Sequence, residues 1–509
     1  MGCVWIRLVA SILLVIPLIF LTLTPKILQK SVDSFLKYYF LLCITLAIYI
    51  ENATFPFMAQ YDVRPNYKFV EYLEYPKEVF GMIIADYPIQ LAIALLMIAL
   101  FIYLYLKVIN PSFTSVYELS YLKRASLFLP LAIESADKLS PFSRLEHTHF
   151  KTSKPKNLVI FLQESLGYQF YEDKQNTPHL NRLSHEGIFF SNLFSNGTRS
   201  IRGIAGSIAG NFSIPGKGVV KRNKSQTDYF TISSLLEPLG YTTSFIYGGE
   251  SRFDNMKGWF MGNGFDKIVD REKFLDPKFV GTWGVCDQEV CISAHDMYKE
   301  LHAKNQKFAS VIFSTTNHSP FDFPDGKITL IEGVKKKSVE NAIKYADFAI
   351  GDFIEKARKE AYYEDTIFVI VADHNVRVFG DDVVPVDMFK IPALILGKDI
   401  KPEFYDKLST QPDVLATVLD LMGLDLTYPI MGHSIYSDKK RELALLQFND
   451  FYALRVKDKV AVIQPKKETM TYMYKEKHLH PIEHDKELEE DALAFILVLN
   501  HLYQNKLYR

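Results

Sequence analysis

The chain has 509 residues, room for two to four domains at roughly 150 residues each. Its 58 basic and 59 acidic residues nearly cancel, which argues against a general polyanion binder, against a nucleic-acid partner and against a disordered acidic tail. Apolar residues make up 48% and mean hydropathy is +0.01, high for a soluble enzyme and low for an all-membrane transporter, so their distribution matters. Four cysteines without a CxxC pair exclude a disulfide framework. Cys286 and Cys291, five apart, are either one bridge in an oxidising compartment or two buried thiols.

The apolar residues gather at the front. Runs at 8–24, 38–50 and 85–106 are compared with the about 20 residues, roughly 17 at the least, that a membrane span needs. On that measure residues 1–110 read as a transmembrane helical region, with Trp5, Tyr38, Tyr103 and Tyr105 as interfacial anchors. Lysines flank the runs on both sides and give no clean orientation. A cleavable leader is the alternative for the first run, although no A-x-A site follows it. Residues 111–154 read as a connection, with LFLPLAI (127–133) too short to span and suited to the membrane surface.

From Asn157 the pattern changes. The β-rich apolar runs 158–165, 243–251, 308–318, 366–375 and 391–397 end in polar residues or glycine and suit strands buried on both faces. Helical patterns lie at 177–187, 231–240, 339–361 and 411–423, several closing on glycine. This alternation predicts an α/β domain over 155–436 with a central, mostly parallel sheet flanked by helices. Residues 437–509 read as edge strands and a closing helix that complete it.

In such a sheet, ligands bind beyond the carboxyl ends of the strands. Glu164, Ser251, Asn317, His318, Asp373 and His374 all fall there. Asp373 and His374 would point two ligand types into one cavity, or be an ordinary surface pair; Glu164 is a second acid, or a helix cap. SNGTRSIRG (195–203) sets hydroxyls and two arginines ahead of a small-residue helix, whose N-terminal N–H groups favour an oxyanion or phosphate. Thr198 or Ser200 could equally be a plain N-cap.

Taken in order, NLVIFLQESLG (157–167), 177–203, FIYGGESRFDNM (245–256), TWGVCDQEV (282–290), STTNHSPF (314–321), VADHN (371–375) and QPDVLATVLDLMG (411–423) resemble the lipoteichoic acid synthase-like branch of the alkaline phosphatase/sulfatase superfamily. The resemblance implies that Glu164, Thr198, Asp373 and His374 ligate one divalent cation, Mn²⁺ or Mg²⁺ before Zn²⁺. It makes Thr198 the nucleophile, and His318 the group that holds the phosphoryl oxygens or protonates the leaving group. Arg199, Arg202 and Arg252 are the expected substrate-binding cations. Synthase-type members carry a Trp and Arg pair in the head-group pocket; Arg252, Asp254 and Trp259 stand near that place here, but the pattern is not the same.

The implied activity is transfer of phosphoglycerol or phosphoethanolamine from a membrane phospholipid to a cell-envelope glycan or glycolipid, through a phospho-threonine. The implied setting is the lipid bilayer of a bacterial cytoplasmic (inner) membrane, crossed several times, with the catalytic domain on the extracytoplasmic side. A sulfatase would need Cys or Ser in C/S-x-P-x-R, which neither Cys286 nor Cys291 satisfies. A phosphodiesterase that uses water, and an inert membrane regulator, are the remaining alternatives.

Overall fold

The computed structural model describes residues 28–61, 88–109, 140–150 and 154–509, with Pro17 and Phe20 as single positions. It divides into one unit ending at Lys138 and a second running from Leu139 to Arg509. In the first unit, helices span Gln29–Tyr61 and Pro88–Leu104, and the latter runs on as a π-turn over Tyr105–Ile109. Among the described residues no helix is long and apolar enough to cross a membrane. The transmembrane helices expected for the second and third runs are thus not found among the described residues, and residues 85–87 of the third run lie outside them. The first of these helices carries Lys30, Asp33, Lys37 and Glu51, and the second has only 17 residues before its pattern changes. The run at 8–24, apart from Pro17 and Phe20, and the stretch 127–133 lie outside the described residues.

The second unit is built on a nine-stranded sheet. Its strands are β1 (Asn157–Gln163), β2 (Ile188–Phe194), β3 (Thr242–Tyr247), β4 (Lys267–Val269), β5 (Phe308–Phe313), β6 (Thr366–Ala372), β7 (Lys390–Leu396), β8 (Glu403–Tyr405) and β9 (Ser409–Thr410). Across the sheet the order is β8-β2-β7-β6-β1-β5-β3-β4, with β9 also on β2. The strands β6, β1, β5, β3 and β4 run parallel, as the apolar runs suggested. In β1 every residue is buried, so the strand is covered on both faces.

The sheet is mostly parallel but mixed, because β7 lies antiparallel to both β6 and β2 while the other pairings are parallel. The chain between β6 and β7 holds a single 3₁₀ turn, Val386–Phe389, and no crossover helix, so it returns in the opposite direction. Helices α1 (Pro178–Leu183), α2 (Ser200–Ala209), α3 (Asp287–Ala303), α4 (Val339–Ala357) and α5 (Gln411–Leu421) belong to this layer. The C-terminal part forms a separate five-stranded antiparallel sheet over 443–481. The closing helix α6 (Lys486–Asn505) buries Leu488, Ala492, Leu499 and Tyr503 in the main core. Cys286 and Cys291 are two buried free thiols, not a bridge.

The register of the central strands decides where the polar residues go. Gln163 on β1 sits opposite Ala372 on β6, so the next residue of each strand, Glu164 and Asp373, leaves the sheet side by side. Leu162 pairs with Phe313 on β5, and the first residue beyond β5, Ser314, offers its Oγ to the Glu164 N–H at 2.9 Å. Three neighbouring strands thus release their chains at one edge, where parallel sheets place ligands.

Candidate active site

Glu164, Asp373 and His374 converge. Each offers a ligand atom within 4.8 Å of the others, and all three are buried. Ser165, next to Glu164, takes φ 56°, a left-handed turn uncommon for serine. In that turn its N–H reaches Asp373 Oδ1 at 2.8 Å and its hydroxyl reaches Glu164 Oε1 at 2.5 Å. Asn317 Nδ2 donates to the Glu164 carbonyl at 2.8 Å. His374 is oriented from behind by Nδ1, 2.7 Å from the Asn375 carbonyl. With the proton on Nδ1, Nε2 faces Asp373 Oδ2 at 3.4 Å and Glu164 Oε1 at 3.5 Å with a free lone pair.

The hydroxyl in this cluster belongs to Ser200. Its Oγ donates to Glu164 Oε2 at 3.0 Å and lies 3.2 Å from His374 Nε2. Ser200 is the first residue of α2, so the N-terminus of that helix abuts the cluster. Thr198, which the resemblance made both ligand and nucleophile, lies two residues upstream. Its hydroxyl makes no hydrogen bond to Glu164, Asp373, His374 or His318. The reason is local: the helix begins at Ser200, and Arg199 at its N-cap is extended, with φ −142°. Gly203 lets α2 lie against Asp373, whose carbonyl oxygen stands 2.3 Å from where a Cβ would be.

The electrostatics of the pair are opposed. Burial by itself would raise the Glu164 carboxyl, but the His318 and His374 rings that face it hold it below the usual range. Burial and the Glu164 charge drive Asp373 well above that range. Two carboxylates this close cannot both ionise without a compensating cation. Burial also favours the neutral form of His374. Asp373 Oδ2 is buried without a hydrogen-bond partner. An orphaned carboxylate oxygen, a second carboxylate, a hydroxyl and a correctly turned imidazole fit a divalent cation.

His318 stands at the rim with about a third of its side chain exposed, its Nε2 3.4 Å from Glu164 Oε1. Burial opposes its protonation, yet Glu164 outweighs that and raises its pKa. Arg199 is exposed and near enough for its charge to disfavour protonated His374. Arg202 is turned elsewhere: it is buried and donates to the Ile214 carbonyl at 3.2 Å and the Gly216 carbonyl at 2.5 Å. Arg202→Ala is expected to cost about 2–3 kcal/mol in a denaturant melt, from two charged hydrogen bonds, and to leave Mn²⁺ affinity in calorimetry unchanged. Arg252 lies on the surface with Nη2 3.9 Å from Glu272. Trp259 is fully buried against Phe260.

The family model described as Sulfatase matches residues 156–424. Lipoteichoic acid synthase 2 of Bacillus subtilis is 25% identical over 333 residues, 60% of this chain and 51% of that protein. Phosphoglycerol transferase I of Escherichia coli is 25% identical over 320 residues, 58% of this chain and 41% of that one. The chain thus spans about half the length, or less, of these curated relatives. A solved protein of the alkaline phosphatase superfamily from Vibrio parahaemolyticus is 40% identical, with TM-score 0.70, covering 74% of this chain and 93% of that one. The lipoteichoic acid synthase LtaP from Listeria monocytogenes shares the fold at TM-score 0.58 and 19% identity, covering 70% of this chain and 94% of its own. The resemblance read from the motifs stands, and the chain belongs to the sulfatase family of the alkaline phosphatase superfamily.

Proposed function

We propose that the chain is a divalent-cation-dependent phosphotransferase with Ser200 as its nucleophile. It moves a phosphoglycerol or phosphoethanolamine group from a membrane phospholipid to a hydroxyl of an envelope glycan or glycolipid. The observation that carries the reading is the Ser200 hydroxyl held 3.0 Å from Glu164 and 3.2 Å from His374 at a helix N-terminus. The relatives named as lipoteichoic acid synthase and phosphoglycerol transferase support transfer over hydrolysis. Sulfate-ester chemistry is disfavoured because Ser200 is followed by Ile-Arg-Gly-Ile, not by x-Pro-x-Arg. The apolar front supports placing the reaction at the outer face of a bacterial cytoplasmic membrane.

Glu164, Asp373, His374 and Ser200 would hold the cation, which when bound acidifies a hydroxyl and offsets phosphoryl charge. The residues supply the rest. Ser200 Oγ gives up its proton to solvent and attacks phosphorus; the P–O bond to diacylglycerol breaks, and His318 gives that oxygen a proton. The acceptor hydroxyl then attacks the phosphoseryl group and returns a proton to His318, the P–O bond to Ser200 breaks, and Ser200 Oγ regains its proton from solvent. Arg199, at the same helix end, steadies the charge that passes through the equatorial oxygens.

The test is release of fluorescent diacylglycerol from phosphatidylglycerol or phosphatidylethanolamine with Mn²⁺, Mg²⁺ or Zn²⁺ supplied. Expected is metal-dependent release with label passing to an added glycan or glycolipid. Free glycerol phosphate alone would make the protein a hydrolase. Intact metal binding without lipid cleavage would make it an inert regulator.

A further inference from the structure

Trp283 precedes α3 and has no part in the scheme above. Its indole lies face to face with the His318 imidazole, centroids 4.3 Å apart and planes 22° from parallel. Its Nε1–H donates to the Ser319 carbonyl at 2.7 Å, so the ring is tied to the peptide beside the one it covers. Phe253 meets the same indole edge-on at 5.4 Å. The two loops are pinned at both ends as well. Thr282 donates its N–H and hydroxyl to Asp322 Oδ2 at 3.2 and 2.6 Å, and Asp287 Oδ1 accepts the Thr315 N–H at 2.8 Å.

His318, by contrast, has weak polar restraint. Its contact with Glu164 Oε1 is 3.4 Å, beyond a good hydrogen bond, and a third of the side chain is open to solvent. A single long contact leaves the ring free to rotate about χ2, whereas a stacked indole fixed by its own N–H defines the ring plane. We infer that Trp283 is the positioning residue for His318, holding the imidazole in the plane from which it serves the leaving group. This rests on the role given to His318 above. Ordinary loop packing would also place an aromatic here, and the experiment separates the two.

Trp283→Ala and Trp283→Phe are compared in wild-type and His318→Ala backgrounds, in the Mn²⁺-loaded full chain with fluorescent phosphatidylglycerol. Positioning at this range is expected to lower kcat about 10- to 100-fold in Trp283→Ala, with KM little changed and most activity restored in Trp283→Phe. With His318 already gone, Trp283→Ala is expected to cost less than about twofold more, because the two residues act as one unit. Equal losses in both backgrounds would make Trp283 a structural or substrate-binding residue and overturn the inference. So would undiminished activity in Trp283→Ala.

A second readout needs no turnover. The His318 ring-proton resonances, assigned with His318→Ala, are expected upfield from the indole ring current and to lose that shift in Trp283→Ala. A resonance that stays in place overturns the inference even if no lipid is cleaved. A resonance that moves in a protein inactive on lipid upholds the stacking and defeats the proposed reaction instead. If Trp283→Ala fails to fold, Trp283→Phe and Trp283→Leu carry the same comparison.

Discussion

Ser200→Ala is expected to abolish transfer, lowering kcat by at least about a thousandfold, whereas Thr198→Ala stays within about threefold of wild type. The difference follows from two residues of chain. Ser200 Oγ lies 3.0 Å from Glu164 Oε2, while the Thr198 hydroxyl makes no hydrogen bond to the cluster. Ser200→Thr keeps the hydroxyl and is expected to retain activity, which separates loss of the nucleophile from loss of packing. Steady-state release of diacylglycerol reads all three variants. Mass spectrometry of acid-quenched enzyme is expected to find the phosphoryl adduct on the peptide carrying Ser200. The opposite pattern, an active Ser200→Ala and a dead Thr198→Ala, restores the role the motif resemblance gave to Thr198.

Gly203→Ala is expected to produce the second large effect, although residue 203 carries no chemistry. A Cβ there would stand 2.3 Å from the Asp373 carbonyl oxygen and 2.6 Å from its carbonyl carbon and Cα. These are backbone atoms, also fastened from Gln411, whose Nε2 donates to the Ala372 and Asp373 carbonyls at 2.9 and 2.8 Å. They cannot rotate aside, so α2 must retreat and draw Ser200 from Glu164 and His374. Disturbing the supports of a ligand set in this way is expected to weaken Mn²⁺ binding about 10- to 100-fold. Overpacking adds about 1–3 kcal/mol of destabilisation. Calorimetric titration with Mn²⁺ beside a thermal melt reads both, and wild-type Mn²⁺ affinity in Gly203→Ala would contradict the close approach.

Glu164, Asp373 and His374 were legible in the sequence because each follows an apolar β run, and strand ends in parallel sheets converge. The register that sets Gln163 opposite Ala372 turned that tendency into a site. The choice between Thr198 and Ser200 was not legible. Both hydroxyls suit a helix start, and only the position of the first helical turn decides which one reaches the carboxylates. Arg202 departs from its expected role for a related reason: it lies within the same helix, and its guanidinium fastens the 214–216 loop. The direction of β7 was hidden because IPALILG looks the same whichever way it runs, and the intervening loop fixes the sense. Strand β2 was missed since IFFSNLF lies directly behind α1, without a turn signal of its own beyond Gly187.

The most direct measurement is a crystal soaked in Mn²⁺ and recorded at the manganese absorption edge. The account expects one anomalous peak within bonding distance of Glu164, Asp373 Oδ2, His374 Nε2 and Ser200 Oγ. A peak that includes Thr198 Oγ and leaves Ser200 aside, or no peak between the three strand ends, would contradict it.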